Sequence, residues 1–213
     1  MAVTYQSQAS AAPTSGITIT VNKPSGTVEG DVLVAMISVK AGVDLTINPP
    51  AGWTAVGQAN TAIVSIRTGV WYKVAGASEG GSYAWTSTQT ISDATGLILR
   101  YAPQSPTTPP GVIDASAMGS AVSPAVAPSL TATENADTLI ALFSTNGTPG
   151  STPSGMTQRA AINGANSGAW AYDQQLDAPG AAGTRTWTGS TTGVGWSILL
   201  KAAQAGSRIR MMI

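Results

Sequence analysis

Any chemistry in this sequence would have to come from ten carboxylates and six tryptophans, because the residues most often used for it are missing. None of the 213 residues is histidine and none is cysteine. Without histidine there is no Ser-His-Asp triad, no imidazole general base and no imidazole metal ligand. Without cysteine there are no disulfides, thiol nucleophiles or thiolate metal sites. The acids are Glu29, Asp31, Asp44, Glu79, Asp93, Asp114, Glu134, Asp137, Asp173 and Asp177. A glycosidase needs two such groups facing each other across a cleft. Asp31 and Asp137 instead each follow a turn and open an apolar run, where a carboxylate commonly accepts backbone N–H groups. Dense Asp/Asn loops of the EF-hand kind are absent from the sequence. The expectation is therefore no catalytic, cofactor-binding or metal-binding residue, and no cofactor.

The tryptophans are Trp53, Trp71, Trp85, Trp170, Trp187 and Trp196. Flat exposed indoles would make a platform for sugar rings. Four of them pair across an internal similarity (Trp71 with Trp170, Trp85 with Trp187), as core positions would. Trp53 and Trp196 lack a Trp counterpart, and they are the candidates for exposure and for glycan contact.

One further stretch differs from the rest. Residues 206–213, GSRIRMMI, put Arg208 and Arg210 among Ile209, Met211, Met212 and Ile213, in a chain sparing of charge elsewhere. Such a tail is expected to contact a partner, its apolar groups covering a groove while the arginines meet carboxylates.

The elements that must position these residues read as strands and turns. Only 9% of residues are charged, Lys+Arg and Asp+Glu number 10 each, and Gly, Ser and Thr abound, a composition that suits strands. Residues 17–21, ITITV, alternate as a half-buried strand. Residues 30–39, GDVLVAMISV, form a Val-rich run too short and too β-branched for a helix, as in a strand covered on both faces. Further strands are expected at 62–66, 68–74, 82–88 and 95–101, with a turn at 48–53. The segment 103–110, PQSPTTPP, excludes a central strand and leads through an irregular piece into the second half.

That half repeats the order of the first. ADTLIALF at 136–143 matches the Val-rich run, PPAGWT matches TPSGMT with Met156 in place of Trp53, and the paired tryptophans follow. A period of about one hundred residues is too long for a solenoid. It fits either one sandwich with a pseudo-twofold axis or two small ones. The single domain is preferred, since one Phe and six Trp would leave two separate cores thin. The expected class is all-β, a jelly-roll-like β-sandwich: an N-terminal arm at 1–16, a body at 17–203 with half-repeats 17–102 and 122–203, a Pro-rich crossing at 103–121, and a tail at 204–213.

Composition also bounds partners. There is no basic stripe for nucleic acid, no run of ~18 apolar residues for membrane insertion, and no basic flank and apolar run of a secretory signal at the N-terminus.

GDVLVAMISV, PPAGWTAV, VWYKVAGASEGGSYAWT, GVIDASA and APSLTATENADTLIALF together resemble β-sandwich proteins of bacteriophage virions and domains of large bacterial surface proteins. The resemblance covers about residues 17–202, and as a set its motifs are moderately specific. It implies a non-enzymatic structural or adhesive role on a virion: a minor tail or fibre protein, or a capsid decoration protein. It carries no catalytic residue. Surface-protein members are long and multidomain, so this short chain without a signal is expected to be a virion component made in the host cytoplasm. Its expected partners are other virion proteins and further copies of itself, a trimer being favoured, with host surface glycan as the alternative ligand.

Overall fold

The computed structural model describes residues 3–13, 15–40, 45–61, 65–102, 113–146, 149–189 and 192–202, and in them the protein is all-β. Among the described residues no helix is long and apolar enough to cross a membrane. The strands of the first half are β1 (Tyr5–Ala11), β2 (Gly16–Asn22), β3 (Val32–Lys40), β4 (Ile47–Asn48), β5 (Thr54–Thr61), β6 (Ile66–Val74), β7 (Ser82–Ile91) and β8 (Asp93–Tyr101). Those of the second are β9 (Ile113–Met118), β10 (Ala125–Ala127), β11 (Thr131–Ala132), β12 (Thr138–Thr145), β13 (Thr157–Asn163), β14 (Gly168–Gln175), β15 (Gly180–Ala181), β16 (Arg185–Trp187) and β17 (Gly193–Leu200).

Two five-stranded antiparallel sheets form the centre, in the orders β1-β8-β3-β6-β5 and β13-β14-β12-β17-β9. They pack face to face. Val34, Met36, Leu97 and Leu99 from one sheet meet Ile140, Leu142, Trp196 and Ile198 from the other in a shared core. The outer face of the first sheet is covered by the sheet β2-β7-β4 over a core holding Leu33, Ile37, Trp71 and Trp85. Two short ribbons, β10-β16 and β11-β15, cover the second over Leu139, Phe143, Trp170 and Trp187. The runs at β3 and β12 are thus buried on both faces, and their residues alternate between an inner and an outer core.

A β-sandwich is what the sequence predicts, but its layers are more numerous than a single eight-stranded jelly roll provides. The four-layer stack holds because each central sheet has apolar side chains on both faces and must be covered twice.

Two expectations are corrected. The N-terminal stretch is not an arm, because Tyr5–Ala11 adds to the first sheet beside β8, with Tyr5 opposite Tyr101 and Ala11 opposite Gly96. The piece after the Pro-rich crossing is not irregular throughout, because Ile113–Met118 pairs with β17 in the same manner. Both are edge strands of small and polar residues, YQSQASA and IDASAM, which half-bury their side chains and so lack a strong apolar pattern. Of the strand expected at 62–66, Ile66 opens β6, and residues 62–64 lie outside the described residues, as do 103–112.

Each apolar run is entered through a buried carboxylate. Asp31 Oδ2 accepts the N–H of Val28 (2.8 Å), and Asp137 Oδ2 accepts those of Thr133 (3.2 Å) and Glu134 (3.1 Å). The residue before each acid has positive φ: Gly30 at 85°, Ala136 at 67°. The left-handed conformation costs an L-residue with a Cβ roughly 1–2 kcal/mol, against roughly 0.5–1 kcal/mol of extra chain entropy for glycine. Ala136→Gly is therefore expected to stabilise the protein by about 0.5–1 kcal/mol, read as a raised urea midpoint at unchanged slope.

Candidate functional site

The buried acids are each engaged in holding the fold. Asp31 pairs with Arg100 (Nε to Oδ2, 2.6 Å) and Asp137 also accepts the Ala202 N–H at 2.8 Å. Asp93, 1% exposed at the start of β8, reaches across to the second half, where its Oδ2 accepts the Asn166 N–H (2.7 Å) and the Ser167 hydroxyl (2.9 Å). Glu79 accepts the Gly76 N–H (2.7 Å) and the Tyr83 hydroxyl (2.9 Å), and pairs with Lys73 at 2.9 Å. Burial alone would raise its pKa, but those three partners outweigh burial and hold it below the usual carboxylate range. Among the described residues no group of three or more Asp or Glu side chains could hold a metal ion. Asp44 lies outside the described residues.

Along one margin of the shared core, β1 and β13 are tied together. The Tyr5 hydroxyl donates to the Arg159 carbonyl (3.3 Å), and the Arg159 guanidinium lies over the Tyr5 ring, 4.7 Å from its centroid. Arg159 Nε donates to Asp173 Oδ1 (2.7 Å), and the buried Tyr101 hydroxyl donates to Asp173 Oδ2 (3.2 Å). Burial raises the Asp173 pKa, against the opposing pull of Arg159 and Tyr101. Burial, and then the Asp173 charge and its hydrogen bond, push the Tyr101 phenol well up.

A phenol whose folded-state pKa exceeds its unfolded value contributes stability that is fully present below about pH 10 and is lost as pH rises through the folded value. Tyr101 is accordingly expected to ionise only as the chain unfolds. In an alkaline titration, the last rise in tyrosinate absorbance should coincide with the change in tryptophan fluorescence; full ionisation of all five tyrosines while the fluorescence stays native would contradict this.

Two tryptophans are not where the sequence suggests. Trp53 is 7% exposed and Trp196 is 2% exposed, so neither offers a face to solvent. Trp53 is enclosed because the turn before β5 folds it onto Tyr83 and Trp85, at centroid distances of 5.1 Å each. Trp196 is enclosed because it lies on the inner face of β17, in the core shared by the two central sheets. Both fill cores, as do the four paired tryptophans.

Among the described residues the margin opposite Tyr5 is open. There β5 and β9, the last strands of their sheets, flank a groove of about 220 Å³ lined by Val56, Gly57, Gln58, Ser116, Met118 and Trp196. Gly57 lets the Trp196 ring come close, since a Cβ there would lie 3.1 Å from Cζ3. Met118 at the rim is 46% exposed.

Comparison with protein-family models, with curated proteins and with solved structures returned no match. The groove is the feature that sequence reasoning missed, because it arises where two edge strands from different halves come together. Its one sequence signal is the strand alternation of residues 113–118. The candidate contact residues Arg208, Ile209, Arg210, Met211, Met212 and Ile213 lie outside the described residues.

Proposed function

We propose that this chain is a non-enzymatic structural protein of a phage virion, a tail or fibre protein or a capsid decoration protein. It assembles with copies of itself and with other virion proteins through its sheet edges and the segment 206–213. The observation that carries this reading is the use made of the buried carboxylates: Asp31, Asp93, Asp137 and Asp173 hold turns and join the two halves. A particle component needs a body that keeps its shape with no redox or metal support, and these ties serve that end.

The same reading takes 17–102 and 122–203 as two copies of one unit related by a pseudo-twofold axis. The equal strand orders of the two central sheets and the matched roles of Asp31 and Asp137 support it. Glycan adhesion through Trp53 or Trp196 loses its platform with both rings enclosed.

Light scattering on the purified full chain and on a truncation before Gly206 tests the proposal. The expected result is a trimer or larger assembly for the full chain and a folded monomer, verified by circular dichroism, for the truncation. Two monomers, or specific binding of the full chain to a glycan array, would overturn it.

A further inference from the structure

Two places in the sequence join asparagine to glycine, Asn146-Gly147 and Asn163-Gly164. In this dipeptide the glycine backbone nitrogen can attack the asparagine side chain, because no Cβ on the glycine hinders the approach. The N–Cγ bond forms, the Cγ–Nδ2 bond breaks, and the proton of the attacking nitrogen leaves with the side-chain amide as ammonia. Water then opens the succinimide at either carbonyl, giving aspartate or isoaspartate. The net change is one water consumed and one ammonia released. Gly147 lies outside the described residues, whereas the second dipeptide is described in full.

Asn163 is the last residue of β13 and is exposed, so water and base reach its side chain. The loop 164–167 follows, and β14 begins at Gly168, opposite Asn163. A residue of the other half of the chain requires the glycine at 164. A Cβ there would lie 2.5 Å and 2.6 Å from the two carboxylate oxygens of Asp93. Asp93 is 1% exposed and cannot swing aside without giving up its bonds to the loop. The packing therefore imposes the residue that makes Asn163 reactive.

The same carboxylate holds the reaction in check. Asp93 Oδ2 accepts the Asn166 N–H at 2.7 Å and the Ser167 hydroxyl at 2.9 Å, which fixes the far side of the loop. With Ser167 fixed, its carbonyl accepts the Gly164 N–H at 2.7 Å. The attacking nitrogen is thus engaged as a donor, and its proton must leave before it can attack. Pairing with Gly168 also keeps residue 163 in extended backbone, and ring closure needs that backbone to rotate. Both restraints end when the loop opens, a local event that does not require global unfolding.

We propose that Asn163 is a deamidation site of this protein and that Asp93 is the positioning residue that suppresses it, so that modification proceeds through opening of the 164–167 loop. Site and clasp lie within one chain and do not depend on the assembly reading above.

The test incubates the full chain at mildly alkaline pH, native and in guanidinium chloride, and follows amide-to-acid conversion at Asn163 by peptide mass spectrometry. Conversion in the native chain is expected to be about tenfold slower or more than in denaturant. Asp93→Ala is expected to raise the native rate about tenfold, and Ser167→Ala, which removes one bond of the clasp, to raise it less. Asp93→Asn keeps a carbonyl acceptor for the Asn166 N–H and should fall between the unmodified chain and Asp93→Ala. Each variant is checked by circular dichroism and by hydrogen exchange of β3, which a local opening leaves unchanged. Equal rates in the native and denatured chain overturn the proposal. So does a natively folded Asp93→Ala chain that deamidates no faster than the unmodified one, or one whose faster deamidation is matched by faster exchange throughout β3. Should Asp93→Ala fail to fold, Ser167→Ala decides by the same criteria.

Discussion

Alanine at Gly69 or at Gly168 is expected to destabilise the protein by about 3 kcal/mol, at the upper end of the usual cost of overpacking a core. Each glycine sits two residues before a tryptophan in the same strand, so the two positions share a face. The ring folds back over the glycine. A Cβ on Gly69 would lie 2.7 Å from Trp71 Cζ2 and one on Gly168 would lie 2.6 Å from Trp170 Cζ3, with Cη2 of each ring closer still. Neither ring has room to swing aside. Trp71 is fully buried with Trp85 at 6.1 Å, and Trp170 is 3% exposed with Trp187 at 4.8 Å. The entropy that alanine removes from the unfolded chain returns only about 0.4–1 kcal/mol. Gly81→Ala is the control: a Cβ there meets nothing within 4 Å, and a change within about 0.5 kcal/mol is expected. Urea unfolding at constant slope reads all three, and a loss below about 1 kcal/mol at both Gly69 and Gly168 would mean that the rings do not depend on these glycines.

The two Gly-x-Trp triplets show what a sequence of this kind discloses. Gly69-Val70-Trp71 and Gly168-Ala169-Trp170 could both be read off the chain, as could the Val-rich run at β3 and its counterpart at β12, because burial on both faces writes itself as an unbroken apolar run. The turn roles of Asp31 and Asp137 were legible for the same reason: their bonding is local, reaching N–H groups three or four residues back in the chain. What was not legible depends on partners far away in sequence. Tyr5–Ala11 becomes a strand only because β8, some ninety residues on, offers an edge. Trp196 reads as a candidate for exposure because it lacks a Trp counterpart, yet the sheet that covers it belongs to the other half of the chain. The β5/β9 groove joins both difficulties, since neither edge strand has a strong pattern and nothing local states that they meet.

The second large effect concerns Asp137. Its Oδ2 accepts two N–H groups from the turn before β12, and its Oδ1 accepts the Ala202 N–H just beyond β17, so one carboxylate fixes the start of one central strand and the end of another. Asp137→Ala leaves all three donors without this acceptor. Water can reach Thr133 and Glu134, which are not buried, but not Ala202, which is 5% exposed. With unsatisfied buried groups costing about 1–3 kcal/mol each and the two others partly rehydrated, the loss should be about 3 kcal/mol. Asp137→Asn separates the two roles, because its single carbonyl can serve either the turn or Ala202 while its amide donors oppose the other. About half the alanine cost is expected, with fraying on one side only. Hydrogen exchange tells which. Faster exchange at Leu199, Leu200 and Ala202 with the turn still protected means that the amide has kept the turn and released the end of β17. A cost below about 1 kcal/mol for Asp137→Ala, with Ala202 still protected, would show that the β17 end is held by its pairing with β12 and β9 alone.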